Sequence, residues 1–155
     1  DSAFPVDVDV VLAGDGETRA DAEALAEELG VSHRLRFVGR VPSVSVPVVL
    51  AAADLAVLPA TEEYMNPMKL YEYLGAGLVA VAPDQHAVAE VVTEVGPAAQ
   101  VVVFEPGDAA ALAVAVHRAL ALARRDDTSS AGRAATWDER ALAFSGVLVA
   151  AMADR

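Results

Sequence analysis

The chain of 155 residues contains no cysteine, a single lysine and a single asparagine. Without cysteine it forms no disulfide and no thiolate metal site, which fits a reducing cytoplasm. No apolar run reaches the roughly 18 residues that a membrane-spanning helix needs. The opening stretch DSAFPVDVDV lacks the basic flank and apolar centre of a secretory signal peptide. These absences predict a cytoplasmic protein without a membrane span.

Basic residues are also scarce, since 11 Lys and Arg stand against 23 Asp and Glu and give a formal net charge of −12. Nucleic acids and anionic lipid surfaces are polyanions, so this charge opposes binding to either. The three histidines, His33, His86 and His117, are scattered without the spacing of metal ligands. We therefore expect no nucleic-acid partner and no bound metal.

Apolar residues make up 55% of the chain, and its length suits a single folded core. Valine-rich runs alternate with stretches of helix-forming residues. Because these runs are continuously apolar, they predict parallel strands covered by helices on both faces. The predicted fold class is α/β, a Rossmann-like doubly wound sheet. Strands are expected at residues 7–14, 34–39, 54–59, 78–83 and 100–106, and helices at 17–30, 45–53, 86–95 and 108–125, with another that begins near Pro67.

A polar break over residues 123–134 separates this predicted domain, residues 1–135, from a C-terminal segment, residues 136–155. Thr136 and Glu139 have the spacing of a capping box, which predicts the start of a helix. That helix would carry a large apolar face made of Leu142, Phe144, Val147, Leu148 and Met152. It is expected either to pack on its own domain or to reach another surface.

The stretch EEYMNPMKLYEYLGAG, residues 62–77, holds the lone lysine, the lone asparagine and all three tyrosines. It follows a predicted strand, so it lies at the sheet edge where α/β proteins bind ligands. Asn66 is the expected N-cap of the next helix and Pro67 its first residue, and the free amides there favour a phosphate. Lys69 would then contact the anion, and Glu72, three residues on, could accept hydrogen bonds from a ribose. The alternative is an ordinary solvated ion pair between Lys69 and Glu72.

Several short segments occur in order along residues 9–143: LAGDGE, RLRFVGRVP, AAADLAVLPA, NPMKLYEYLGAG, VAVAPDQHAVAEVV, EPGD and TWDERA. Together they resemble the C-terminal, donor-binding domain of retaining GT-B glycosyltransferases, the glycosyl transferases group 1. The resemblance implies one half of a GT-B fold with a C-terminal helix. It also implies that the full-length protein transfers a sugar from a nucleoside diphosphate (NDP) sugar donor, without a metal or other cofactor.

The same resemblance implies roles for individual residues. Glu72 matches the glutamate that binds the donor ribose, and the helix start matches the segment that holds the diphosphate. The remaining matches are Gly14 and Gly16 in the first turn and Arg40 and Val41 beside the base. The implied donor-binding residues are Glu72, Lys69, Asn66, Pro67, Met68, Gly14, Gly16, Arg40 and Val41.

The chain departs from the family pattern at the first of two paired glutamates, where Tyr64 stands instead. Glu63, one residue away, is the remaining candidate, so the catalytic residues stay unknown. The acceptor-binding N-terminal domain is missing from the sequence, which predicts that this chain alone is inactive. Any peripheral membrane contact would come through that missing half, and a homodimer through the C-terminal helix is a further expectation. Two alternatives stay open: half of another GT-B enzyme such as a nucleotide-sugar epimerase, or a non-catalytic protein-interaction module.

Overall fold

The computed structural model describes residues 8–60 and 66–126, and these form alternating strands and helices. The elements in chain order are β1 (Val10–Ala13), α1 (Arg19–Glu28), β2 (Leu35–Gly39), α2 (Val46–Ala51), β3 (Leu55–Val57), α3 (Met68–Gly75), β4 (Val79–Pro83), α4 (His86–Val95), β5 (Val101–Phe104) and α5 (Ala109–Asp126). Each of them coincides with a strand or helix that the sequence predicts. Among the described helices, none is both long and apolar enough to cross a membrane.

All described strand pairs are parallel, which confirms the predicted α/β class. The strands form two sheets, β1-β2 and β3-β4-β5, and no described pairing joins them. The prediction of doubly wound parallel strands therefore holds, with the detail that they are divided between two sheets. Among the described strands β1 pairs only with β2, and Val11 of β1 is 44% exposed. Continuous apolar runs predict burial but not which strand lies next to which, so the division is not readable from the sequence.

The central strand of the larger sheet, β4, is buried at all five positions. Val79 and Val81 pack with β5 and α5 on one face. Ala80 and Ala82 pack on the other face with residues of α3 and α4, including Leu70, whose side chain has no exposed surface. Full burial of an aliphatic side chain of this kind contributes roughly 1.5–3 kcal/mol. This packing fixes α3, the helix that carries the candidate site, against the sheet.

Local sequence explains how α2 begins and how α1 ends. Pro47 lies in the first turn of α2, where a missing amide hydrogen costs nothing, so this valine-rich segment still forms a helix. Gly30 ends α1 in the left-handed region, with φ of 70°, and its N–H donates to the carbonyl of Glu27 at 3.0 Å. A glycine in this position commonly ends a helix, and it closes the helix that the sequence predicts over residues 17–30.

Candidate functional site

The start of α3 lies just beyond the carboxyl end of β3, the edge at which the sequence predicts the ligand. Because β3, β4 and β5 are parallel, the segments that follow them reach this edge together. These are Asn66 and Pro67 before α3, Asp84 and Gln85 before α4, and residues 105–108 before α5. The structure thus places Asn66, Pro67, Met68 and Lys69 where an α/β protein binds its ligand.

The prediction that Asn66 caps α3 is wrong, because the N-cap residue is Pro67 and no side chain caps this helix. Pro67 has φ of −78° and ψ of 77°, and the N–H of Met68 donates to the carbonyl of Asn66 at 2.9 Å. This is an inverse γ-turn centred on the proline. The side chain of Asn66 acts on the hydroxyl of Tyr71, where it partly offsets the rise in the pKa of that group.

The γ-turn changes which donors can face an anion at this helix start. Pro67 has no amide hydrogen, Met68 already donates to Asn66, and the N–H of Leu70 donates to the carbonyl of Pro67 at 2.8 Å. The amides predicted to hold a diphosphate are therefore largely engaged. A phosphate at this position would depend chiefly on Lys69, or would have to replace the bond within the turn.

Lys69 and Glu72 lie one turn apart on α3, and both side chains are exposed. No ion pair joins them, and within the described ranges neither makes one with another residue. The alternative interpretation as an ordinary solvated pair is therefore not realised. A cation and a carboxylate that do not neutralise each other both remain accessible to a ligand.

Tyr71 joins α3 to α4, a contact that sequence reasoning missed. Its hydroxyl donates to the carboxylate of Glu94 at 2.5 Å. This hydrogen bond is the main reason why the pKa of Tyr71 is raised above its ordinary value, with smaller contributions from desolvation and from the charges of Glu94 and Glu90. The side of α3 that carries Tyr71 is thus acidic and unsuited to a phosphate.

Tyr73 is the other described tyrosine, and it packs partly buried against the core between α3, α4 and the sheet. Burial raises the pKa of Tyr73, and the charge of Glu72 adds to the effect. The concentration of rare residues in 62–77 therefore has two physical origins. Tyr71 and Tyr73 join α3 to α4 and to the core, whereas Lys69 and Glu72 face solvent.

A second group of predicted residues lies at the carboxyl ends of β1 and β2. The N–H of Gly14 donates to the carbonyl of Gly39 at 2.8 Å, which joins the two strand ends. Gly16 follows in the turn before α1, and Arg40 and Val41 directly follow Gly39. The structure thus brings all four predicted residues to one edge of the two-stranded sheet.

Sequence reasoning also missed Arg19, the first residue of α1, which lies beside this turn. Its Nε donates to Glu23 at 2.8 Å, and the bond is the largest cause of the raised pKa of Arg19. Asp15 and Glu23 each stand four residues from Arg19, a spacing that was visible in the sequence as a pair of helix-type ion pairs.

Glu63 and the segment 136–155 lie outside the described residues. Within the described ranges, no three His, Asp or Glu side chains come together as metal ligands.

A groove of about 400 Å³ lies between β5 and α5, away from Lys69 and Glu72, and its Asp108 accepts hydrogen bonds from the amides of Ala110 and Ala111. Because Asp108 is used to cap α5, we assign no ligand to this groove.

Comparison with known proteins gives three findings. A family model described as "Glycosyl transferases group 1" matches residues 2–121. The chain is 32% identical over 114 residues to a 2-deoxystreptamine glucosyltransferase of Streptomyces kanamyceticus, an alignment that covers 74% of this chain and 28% of that protein. It superposes with a TM-score of 0.62 and 24% identity on the crystal structure of WaaG, a glycosyltransferase involved in lipopolysaccharide biosynthesis, covering 95% of this chain and 40% of that one. The chain thus spans well under half the length of either protein.

Proposed function

Because this chain belongs to the glycosyl transferases group 1 family, we propose that it is the part of a glycosyltransferase that binds the nucleotide-sugar donor. The observation that carries the proposal is the pair of exposed side chains of Lys69 and Glu72, one turn apart at the carboxyl edge of a parallel sheet. Ligands of α/β domains bind at this edge, and a cation beside a carboxylate matches the phosphate and ribose of a nucleotide.

The two side chains contact different parts of the nucleotide. The Lys69 ammonium contacts the diphosphate as a point charge, and its position near the start of α3 adds the positive end of the helix dipole. The Glu72 carboxylate accepts hydrogen bonds from the ribose hydroxyls. Asn66, Pro67 and Met68 shape the helix start, and the base lies along Gly14, Gly16, Arg40 and Val41.

The reaction that follows from this assignment is transfer of a sugar from an NDP-sugar to an acceptor, with retention at the anomeric carbon. Departure of the NDP needs stabilisation of the charge that develops on the diphosphate. Lys69 can supply it without a metal, and the amide of Met68 can contribute where the phosphate replaces its hydrogen bond to Asn66. The residue that acts on the anomeric carbon is not assigned, and Glu63 is kept as the candidate.

The acceptor belongs to the rest of the protein, because this chain spans 28% and 40% of the two glycosyltransferases that it matches. We propose an N-terminal domain that binds the acceptor, a cytoplasmic location, and any peripheral membrane contact through that other domain. A homodimer through residues 136–155 is a further proposal, and light scattering at high protein concentration tests it.

The direct test is calorimetric titration of the chain with UDP, GDP and ADP. Binding of one of them supports a donor site, and the preferred nucleotide identifies the base. A chain that binds none of the three contradicts the proposal and favours a protein-interaction module that retains the fold. An epimerase half would also bind NDP, so the full-length protein must then be assayed for sugar transfer against epimerisation.

The single lysine makes a second test possible. Lysine labelled with carbon-13 at the ε position gives one side-chain NMR signal from the whole chain, because Lys69 is its only source. We expect this signal to shift on addition of NDP and not on addition of the nucleoside. A signal that does not respond to a bound NDP would place the diphosphate elsewhere.

A further inference from the structure

Arg19 contacts three separate parts of the chain through one guanidinium group. Its Nη1 lies 4.0 Å from Oδ1 of Asp15 in the turn after β1, and its Nε donates to Oε1 of Glu23 at 2.8 Å. Its guanidinium carbon lies 5.6 Å from the centre of the Phe37 ring in β2. A planar fork that donates along its edges and stacks on its face is suited to all three contacts at once.

The same guanidinium lies next to the bond that joins the two strand ends. Gly39 has φ of 71°, and a Cβ placed there would stand 3.9 Å from Nη1 of Arg19. The carbonyl of Gly39 accepts the N–H of Gly14, and the next residue is Arg40. The position of Arg19 is thus coupled to the path of the chain from β2 into Arg40.

Arg19 is also tied to the glycine turn through its own backbone. Its N–H donates to the carbonyl of Gly16 at 3.2 Å, and the N–H of Gly16 donates to Oδ1 of Asp15 at 3.1 Å. The ion pairs are partly exposed, with 38% exposure of the Arg19 side chain, so they contribute little to global stability. Their effect is on the geometry of the turn.

We propose that Arg19 is a positioning residue that aligns the glycine turn with the segment Arg40–Val41, so that the two together discriminate between nucleotide bases. The inference rests on the proposed function in one respect, that these segments face the base of a bound nucleotide. Arg19 need not contact the nucleotide. It holds two backbone segments in register, which lowers the cost of ordering them when the base binds.

The experiment uses the full chain with Arg19→Ala, Arg19→Lys and the control Arg36→Ala. Arg36 lies on β2 next to Phe37, is exposed, and makes no ion pair with a described residue. The control removes the same charge without touching the cluster. The readouts are amide hydrogen exchange at Gly14 and calorimetric affinities for UDP, GDP, ADP and inorganic diphosphate.

We expect Arg19→Ala to speed exchange at Gly14 and to weaken the preferred NDP by about three- to tenfold, the factor for losing the order of one or two groups. Inorganic diphosphate should bind to the variant as it does to the wild type, because it has no base. The differences in affinity between UDP, GDP and ADP should therefore become smaller. Arg19→Lys should behave like Arg19→Ala because it lacks the fork, and Arg36→Ala should behave like the wild type. A Lys variant that equals the wild type overturns the role of the planar group.

Unchanged exchange at Gly14 in Arg19→Ala overturns the proposal, and so does faster exchange with unchanged discrimination. If the wild-type chain binds no NDP at all, the proposed function fails. Exchange at Gly14 still decides in that case whether Arg19 holds the two turns together. The two failures are therefore distinguishable.

Discussion

The hydroxyl of Tyr71 donates a 2.5 Å hydrogen bond to the carboxylate of Glu94, and this bond connects α3 to the last turn of α4. Because the bond requires the protonated phenol, the pKa of Tyr71 is raised above 10.0 in the folded chain. A raised pKa means that the bond stabilises the fold fully below pH 10 and that this stabilisation is lost as the pH rises through the raised pKa.

We expect Tyr71→Phe to lower the unfolding midpoint at neutral pH and to flatten its decline at alkaline pH. Denaturant unfolding at a series of pH values measures both effects. Tyr73→Phe is the matched control, because burial and not a hydrogen bond is the main cause of the raised pKa of Tyr73. Removal of the Tyr73 hydroxyl should leave the unfolding midpoint at neutral pH close to that of the wild type. Equal midpoints of the two variants at neutral pH would show that the Glu94 bond does not contribute.

Glu72→Ala should weaken NDP binding by roughly 1–3 kcal/mol, the range for removing a charged hydrogen-bond acceptor. The affinity for the free nucleoside should fall by a similar amount, because the predicted contact is with the ribose. Calorimetry measures both, and Glu28→Ala, an exposed glutamate on α1, is the control for loss of charge. Unchanged affinity in a folded Glu72→Ala chain would remove the ribose role.

Lys69→Met should weaken NDP binding more than nucleoside binding, because the ammonium is predicted to contact phosphate. The wild-type affinity for NDP should also fall with salt more steeply than that of the variant. Calorimetric titrations at two salt concentrations test both expectations. Equal losses for the nucleoside and its diphosphate would place Lys69 away from the phosphates.

Leu70→Ala should destabilise the chain by about 2–5 kcal/mol, since its side chain is completely buried between α3, α4 and the sheet. Leu29→Ala makes the same change at a side chain that is 64% exposed and should cost less than about 0.5 kcal/mol. Equilibrium unfolding in denaturant compares the two variants. Similar costs would mean that α3 does not pack on the sheet as described.

The chain of 155 residues should bind NDP without transferring sugar from an NDP-sugar. Positioning of the acceptor supplies much of the rate acceleration in a transfer between two substrates, and the acceptor-binding part is expected in a separate domain. Chromatographic analysis of donor and product after long incubation tests this expectation. Sugar transfer by the purified chain would refute it.

The described strands and helices follow from the sequence because their apolar runs and helix-forming stretches are local. Gly30 ends α1 as predicted because its left-handed conformation depends on its own lack of a side chain. Asn66 does not cap α3 because the chain turns at Pro67, and the helix begins one residue later than capping preference predicts. The bond from Tyr71 to Glu94 spans 23 residues of sequence, and such partners are set by packing.

In the candidate site, too, some features follow from local sequence and others depend on packing between elements. That Lys69 and Glu72 lie on neighbouring turns follows from helix periodicity, and the structure has both exposed. The cluster around Arg19 required the pairing of β1 with β2, which brings Phe37 and Gly39 next to α1.

The two faces of β4 have side chains of unequal size, with Val79 and Val81 towards α5 and Ala80 and Ala82 towards α3 and α4. An alanine on the sheet leaves less side chain between the strand and a helix packed on it than a valine does. Enlargement of either alanine by natural variation would move Lys69 and Glu72 outward together, whereas the same change on the valine side would move α5. We therefore expect the position of the site relative to the sheet to depend on two fully buried alanine methyl groups.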